Sequence, residues 1–347
     1  LTGLPVSNAS LYDGASAAAE AMLLAVRATG RTRIVVDSNL HPNWREVIAT
    51  FARGPELTLV EVRSGGLEEG RSLEPLAEAV TKDTACVLVP QIDFMGRVAD
   101  LEPLVERAHA QGSLVAVICS PLSLSLFKSP GECDADIACG EGQELGLGLQ
   151  GGGPYLGFFA CKKEFVRRMP GRLVGMTTDL HGKRAFTLTL QAREQHIRRE
   201  KATSNICTNH SLCALIAGLY LAAMGSEGLR KCAEACLKAT VLLRERLKTI
   251  PSVRLFPGLH FREFIIRTPI NAETICSEML KRGILAGVAV KEFLRKKGNK
   301  AEKLGVRNWD EGDLLVAVTE KRTPGEIEAY VENLKEILTG SKVESLG

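Results

Sequence analysis

The sequence predicts an α/β fold: a doubly wound, mostly parallel sheet followed by a smaller C-terminal α+β domain. Up to about residue 140, short β-branched runs alternate with longer segments of helical period, which is how a parallel sheet with crossover helices reads. From residue 191 to about 247 the chain reads as long helices, and a strand, helix, strand, helix rhythm then closes it. A length of 347 residues, 45% of them apolar, can bury a sizeable core and suggests about two domains. They are placed at 1–245 and 246–347.

The first helix is expected over Gly14–Thr29, closed by Gly30 as a left-handed cap. Strands follow at 33–37, 57–62, 85–90 and 114–119, separated by helices at 44–53, 73–81 and 101–111. A glycine-dense stretch, 140–157, leads into an apolar run at 155–161 that reads as another strand. In the C-terminal domain, strands are expected at 261–267 and 314–319 and helices at 272–281 and 324–338. The last helix has a clear start, with Thr323 as N-cap, Pro324 at the first helical position and Glu326 completing a capping box.

Composition excludes several classes of function. The 44 basic against 41 acidic side chains leave +3, too little to draw a phosphate backbone across a face, so nucleic acid is not the expected partner. The longest nearly apolar stretch, 212–224, falls short of the roughly 20 residues a bilayer requires, and no basic-then-apolar signal opens the chain. A soluble, cytoplasmic protein is expected. Ten cysteines lie in apolar context without a CxxC pair, the pattern of buried thiols in a reducing compartment. The basic run 295–303 reads as a solvated loop. Leu1 opens in what reads as the middle of a fold, so a preceding segment is expected.

Three motifs invite chemistry and fail on context. Gly146, Gly148 and Gly151 spell GxGxxG, but a strand rather than a helix follows, so the loop is read as a site of close backbone approach and not as a dinucleotide cradle. Cys207, His210 and Cys213 lie three residues apart, yet match no common zinc pattern and lack a fourth ligand; core packing is expected. His196 sits among Arg193, Arg198, Arg199 and Lys201 with no acid or nucleophile paired to it, and is read as exposed or salt-bridged.

Four strings carry a resemblance: SNASLYDGASAAAEA (7–21), GEGQELGLGLQGGGPYLGFFA (140–160), REQHIRREKATSNICT (193–208) and VAVTEKRT (316–323). They bracket nearly the whole chain, and it resembles the N-terminal-type chain, subunit 1, of glycine decarboxylase. That enzyme is the P-protein of the glycine cleavage system, here in the lineage where it is split into two chains. The resemblance implies a type I pyridoxal-phosphate fold, in which a lysine forms the internal aldimine and an acid protonates the pyridine nitrogen. At the lysine position the count gives Gln143 or Glu144, and the residue nearest the missing acid is Val117. No covalently bound cofactor is therefore expected in this chain, no metal, and pyridoxal phosphate in the partner subunit.

The expected function follows from that resemblance. With its catalytic partner, in a heterodimer paired into a tetramer, the chain would decarboxylate glycine and pass aminomethyl to the lipoyl arm of the H-protein. Arg199, Asn205 and Thr208 are the candidates for the site wall, since an arginine fork suits a carboxylate; the competing role for the two polar residues is capping the helix they open. His41, and Asp13, Gly14 and Ser16, lie where relatives stack and cradle the cofactor, and are read here as loop or cap residues. The alternatives are an independent pyridoxal-phosphate lyase or aminotransferase using Lys162 or Lys163, a non-catalytic scaffold, and half of a fused P-protein.

Overall fold

The computed structural model describes residues 1–206, 210–302, 304 and 306–344. The chain divides into two compact units: Leu1–Ser64, Ser72–Gln91 and Ala99–Arg230 form one, and Gly65–Arg71, Ile92–Val98 and Lys231–Gly347 the other. The boundary expected at 245 thus falls at 230, and two short excursions from the first hundred residues join the second unit. No shift in composition announces them. The buried Arg97 guanidinium ties the two excursions together, donating to Asp93 Oδ2 at 2.7 Å and to Gly66 O at 2.6 Å, and long-range backbone bonds join them to the rest of the unit: Val98 N donates to Leu259 O at 2.9 Å and Phe261 N to Gly96 O at 3.0 Å.

The first unit is a seven-stranded sheet. Its strands are β1 (Val6–Ser7), β2 (Arg33–Asp37), β3 (Thr58–Val62), β4 (Thr84–Pro90), β5 (Leu114–Ile118), β6 (Ile137–Glu141) and β7 (Gly157–Cys161), in the order β1-β7-β6-β5-β4-β2-β3. β2 to β6 pair in parallel, and β7 runs antiparallel to both β6 and β1. Strand alternation sends Ile34, Leu88 and Ala116 into the core shared with α1 (Gly14–Thr29), and Val35, Val87 and Val117 into the core shared with the helices of the other face. α1 packs closely because ten of its sixteen positions are buried and six of those are alanine. Gly30 closes it at φ 70°, as expected. α2 (Pro42–Arg53), α3 (Glu74–Ala79) and α4 (Glu102–Ala110) complete the crossovers near their predicted bounds.

The region from 173 holds a ribbon that the sequence did not announce, and the expectation of long helices from residue 191 is corrected over 191–206. β8 (Leu173–Thr178) and β9 (Arg184–Thr189) form an antiparallel ribbon, and 191–201 is a set of single turns that includes α5 (Gln195–Arg198). A segment as charged as 193–201 offers no apolar face to bury, and its backbone closes local turns instead, as in Arg198 N to Glu194 O at 2.9 Å and Ala202 N to Arg199 O at 3.2 Å. The long helix α6 (Ser211–Leu247) starts later and is interrupted at Gly225 (φ 60°, ψ −178°). Among the described residues α6 is the one helix long and apolar enough, by length and composition, to cross a membrane; its interruption limits the unbroken apolar part to 211–224.

The second unit holds a four-stranded antiparallel sheet in the order β10-β11-β13-β12, from β10 (Arg254–Leu255), β11 (Glu263–Arg267), β12 (Val288–Ala289) and β13 (Asp313–Ala317). Its helices are α7 (Ala272–Lys281), α8 (Val290–Arg295) and α9 (Pro324–Glu344). The capping box forms as read: Glu326 N donates to Thr323 Oγ1 at 3.3 Å, and Thr323 N to Glu326 Oε2 at 2.8 Å. The basic run begins inside α8, where Arg295 closes the helix and forks onto Glu311 at 2.6 and 3.0 Å. Lys303 lies outside the described residues.

Candidate active-site region

In parallel sheets, ligands are received at the carboxyl ends of the strands. Here that edge is lined by the residues after β5 and β6 and by the N-terminus of α1. Glu141 ends β6 with three backbone N–H groups donating to it: Gly14 at 2.9 Å, Leu156 at 3.0 Å and Gln143 at 3.1 Å. Burial raises its pKa, and these bonds oppose the rise. Asp13 caps α1 by accepting from Ser16 N at 2.8 Å. Two carboxylates thus occupy the first turn of the helix. A Cβ at Gly14 would stand 2.4 Å from Trp44 Cη2, so the indole closes the same spot. Asp13, Gly14 and Ser16 behave as the N-cap that the sequence suggested.

Between the ends of β5 and β6, Glu144 Oε1 accepts from Ser120 Oγ at 2.6 Å and from Leu122 N at 2.8 Å. Of the two residues counted at the lysine position, Glu144 therefore faces the strand ends, while the Gln143 amide turns away to Gly148 O at 3.1 Å. Val117 does not reach this edge. It is fully buried inside β5, opposite Ala138, and Ser120 is the residue that stands beside Glu144. β5 ends one residue later, at Ile118, and the chain runs on to Ser120 before it meets Glu144.

Lys162 and Lys163 lie at the other end of the strands, because Cys161 pairs with Ile137, the first residue of β6. Lys162 Nζ is bound to Asp134 at 2.7 Å and Asp136 at 3.0 Å. Asp136 also meets His109 Nε2 at 2.9 Å, and this bond raises the imidazole pKa.

The glycine loop is approached by its own chain: a Cβ at Gly146 would meet the Tyr220 ring at 2.9 Å. His41 caps α2 by accepting from Asn43 N at 3.1 Å. His196 Nδ1 lies 3.7 Å from Glu194. His210 Nδ1 is 2.5 Å from Tyr155 O, and Cys213 is buried beside Leu145 and Leu156. Cys207 lies outside the described residues, and among those described no cluster suits a metal ion.

Arg199 and Asn205 are both exposed, and Arg199 holds φ 53°, a left-handed value for a bulky residue. Asn205 precedes the start of α6 by six residues, so the competing role of capping that helix is removed for it. Thr208 lies outside the described residues. Two anchors hold this segment. The Arg193 guanidinium donates to Met169 O, to Gly171 O at 3.0 Å and to Leu190 O at 3.1 Å. Ser204 Oγ donates to Glu20 Oε1 at 2.8 Å, and burial raises the Glu20 pKa. Glu20, Ser120 and Glu141 were missed in the sequence. A lone acid in the alanine-rich α1 was the available signal for Glu20.

The sheet order, with β7 reversed at the β1 side, and the separate C-terminal α+β unit define a type I pyridoxal-phosphate-dependent fold. A cysteine desulfurase from Thermococcus onnurineus shares it at 14% identity and TM-score 0.68, over 96% of this chain and 79% of that one. The family model of the glycine cleavage system P-protein matches residues 1–334, and the chain belongs to that family. It is 46% identical, over 96% of its length, to 72% of a probable glycine dehydrogenase (decarboxylating) subunit 1 from Desulforamulus reducens, a name that implies a second subunit for that protein. It also aligns at TM-score 0.87 and 40% identity with an inhibitor-bound glycine decarboxylase (P-protein) of the glycine cleavage system, covering 97% of this chain and 72% of that one.

Proposed function

We propose that the chain acts as subunit 1 of glycine dehydrogenase (decarboxylating), an oxidoreductase, completing a site whose pyridoxal phosphate is held by a second, lysine-bearing chain. Together they decarboxylate glycine and pass its aminomethyl group to the lipoyl arm of the H-protein, as a cytoplasmic heterotetramer built from two heterodimers.

The observation that carries this reading is Glu144 bound to Ser120 at the carboxyl ends of β5 and β6. A carboxylate forms no imine with an aldehyde, and a serine hydroxyl is no acid for a pyridine nitrogen. At the helix terminus where a phosphate would sit, Asp13 and Glu141 already take backbone N–H groups, and a phosphate would meet their charge. These residues do not fit the cofactor. The chain's contribution is instead a wall, in which the exposed Arg199 and Asn205, with Thr208 beside them in sequence, would meet a carboxylate or the passing arm. Borohydride reduction of the purified chain with pyridoxal phosphate, followed by mass spectrometry, should yield no stoichiometric pyridoxyl-lysine. The assembled enzyme should carry the adduct in the other chain alone. An adduct at Lys162 or Lys163 would favour the independent pyridoxal-phosphate enzyme.

A further inference from the structure

Charge is distributed unevenly along this chain. Residues 162–201 hold 11 Lys and Arg against 4 Asp and Glu, a local +7, whereas the other 307 residues hold 33 against 37, a balance of −4. Lys163, Arg167, Arg168, Arg198, Arg199 and Lys201 are exposed, and none has a carboxylate within 4 Å among the described residues. Cations on the second unit are commonly neutralised, as in Arg246 with Glu328 at 3.0 Å, Lys281 with Glu278 at 2.6 Å and Arg282 with Glu336 at 2.9 Å. The bonds from Arg193 to Met169 O and Gly171 O hold the 194–201 loop beside the end of the 163–168 turn. Both therefore belong to the part of the first unit packed on the α1 face of the sheet, where Phe165, Met169 and Ile206 enter the core.

Unpaired exposed cations raise the local potential and speed the encounter with an oppositely charged surface. A permanent interface needs an apolar centre. The 194–201 loop carries one apolar side chain, Ile197, among its charges, so it suits a partner that arrives and leaves. We infer that the exposed cations of 163–168 and 198–201 form the docking surface for the carrier protein, engaging a carboxylate-rich face so that its arm enters along the Arg199 segment. This deepens the function proposed above and rests on it.

The test uses the assembled two-chain enzyme and lipoylated H-protein, with binding followed by titration and turnover by glycine-dependent exchange. Association should slow roughly tenfold or more between low and physiological salt. Arg198→Glu with Lys201→Glu, and separately Arg167→Glu with Arg168→Glu, should each raise KM for H-protein roughly tenfold at low salt and flatten the salt dependence. Both should leave kcat and KM for glycine unchanged. Lys82→Glu with Arg107→Glu, an equal charge change outside this surface, should alter neither KM. The inference is overturned if both double variants bind H-protein normally, if wild-type binding ignores salt, or if the variants lose the second chain instead of the carrier. Tighter binding of single-stranded DNA than of H-protein would overturn it as well. Absence of glycine-dependent exchange in the wild-type assembly would sink the function proposed above, while the binding titration still decides the docking surface.

Discussion

The sheet of the first unit and the ribbon that follows it use similar residues to opposite ends. Every residue of β4 is buried, and its neighbours alternate between two apolar layers supplied by the same chain. In the ribbon, Val174 stands opposite Leu188 and Met176 opposite Phe186. All four project from one face and are exposed, Met176 by 71% and Phe186 by 65%. Isolated two-stranded ribbons are marginal in water, and an apolar patch of this kind marks a contact. The sheet is completed by its own helices, whereas the ribbon leaves its apolar face open among the described residues.

The largest expected effect lies on the sheet side of this comparison. Phe159 is fully buried in the α1 core, so Phe159→Ala should cost about 3–5 kcal/mol in urea unfolding. A loss under about 1 kcal/mol would mean that the sheet is not the self-sufficient element described here. On the ribbon side, Met176→Asp with Phe186→Asp should change unfolding of the chain by less than about 0.5 kcal/mol. The same pair should weaken association with the second chain roughly thirtyfold or more, read by sedimentation. Undiminished assembly would break the comparison, leaving the ribbon face without its supposed role.

Smaller effects sharpen it. Arg199→Ala should keep assembly and melting temperature yet lower aminomethyl transfer tenfold or more, equivalent to about 1.4 kcal/mol of transition-state binding. Unchanged turnover and unchanged affinity for H-protein would make the 193–206 segment structural. The smallest effect concerns His109 at the amino-terminal edge of the sheet. Its pKa is raised from 6.5, chiefly by the bond to Asp136, against the opposing effects of burial and Lys162. A raised histidine stabilises the fold below pH 6.5, and that contribution is lost as pH climbs through the folded value. Half-exposed, it should contribute only about a few tenths of a kcal/mol after solvent screening. Urea midpoints at pH 5.5 and 9 should show this difference in the wild type and lose it in His109→Ala.

The elements legible in the sequence are those whose signals are local. Asp13 and Gly30 delimit α1, Thr323 and Glu326 start α9, and β2 falls on 33–37, because caps and β-branched runs act within a few residues. The ribbon was not legible. Its apolar residues alternate as a buried strand's would, yet they stand exposed among the described residues, and the charged turn after it gives no period of its own. The candidate site was legible in part. Counting reached Gln143 or Glu144 but could not choose, and it gave no hint of Ser120, because which residue meets Glu144 depends on how two neighbouring strands end.

Sequence by itself determined the α/β class, the family strings, the absence of lysine at 143 and 144, and most helix starts, all of which depend on residue identity or on contacts a few positions apart. Only the tertiary structure decided that Glu144 meets Ser120, that Glu20 and Arg193 anchor the arginine segment, and that residues 65–71 and 92–98 leave the first unit for the second. These are hydrogen bonds and packing between residues tens to hundreds of positions apart. Their energy depends on which strand lies beside which, and no local pattern encodes that arrangement.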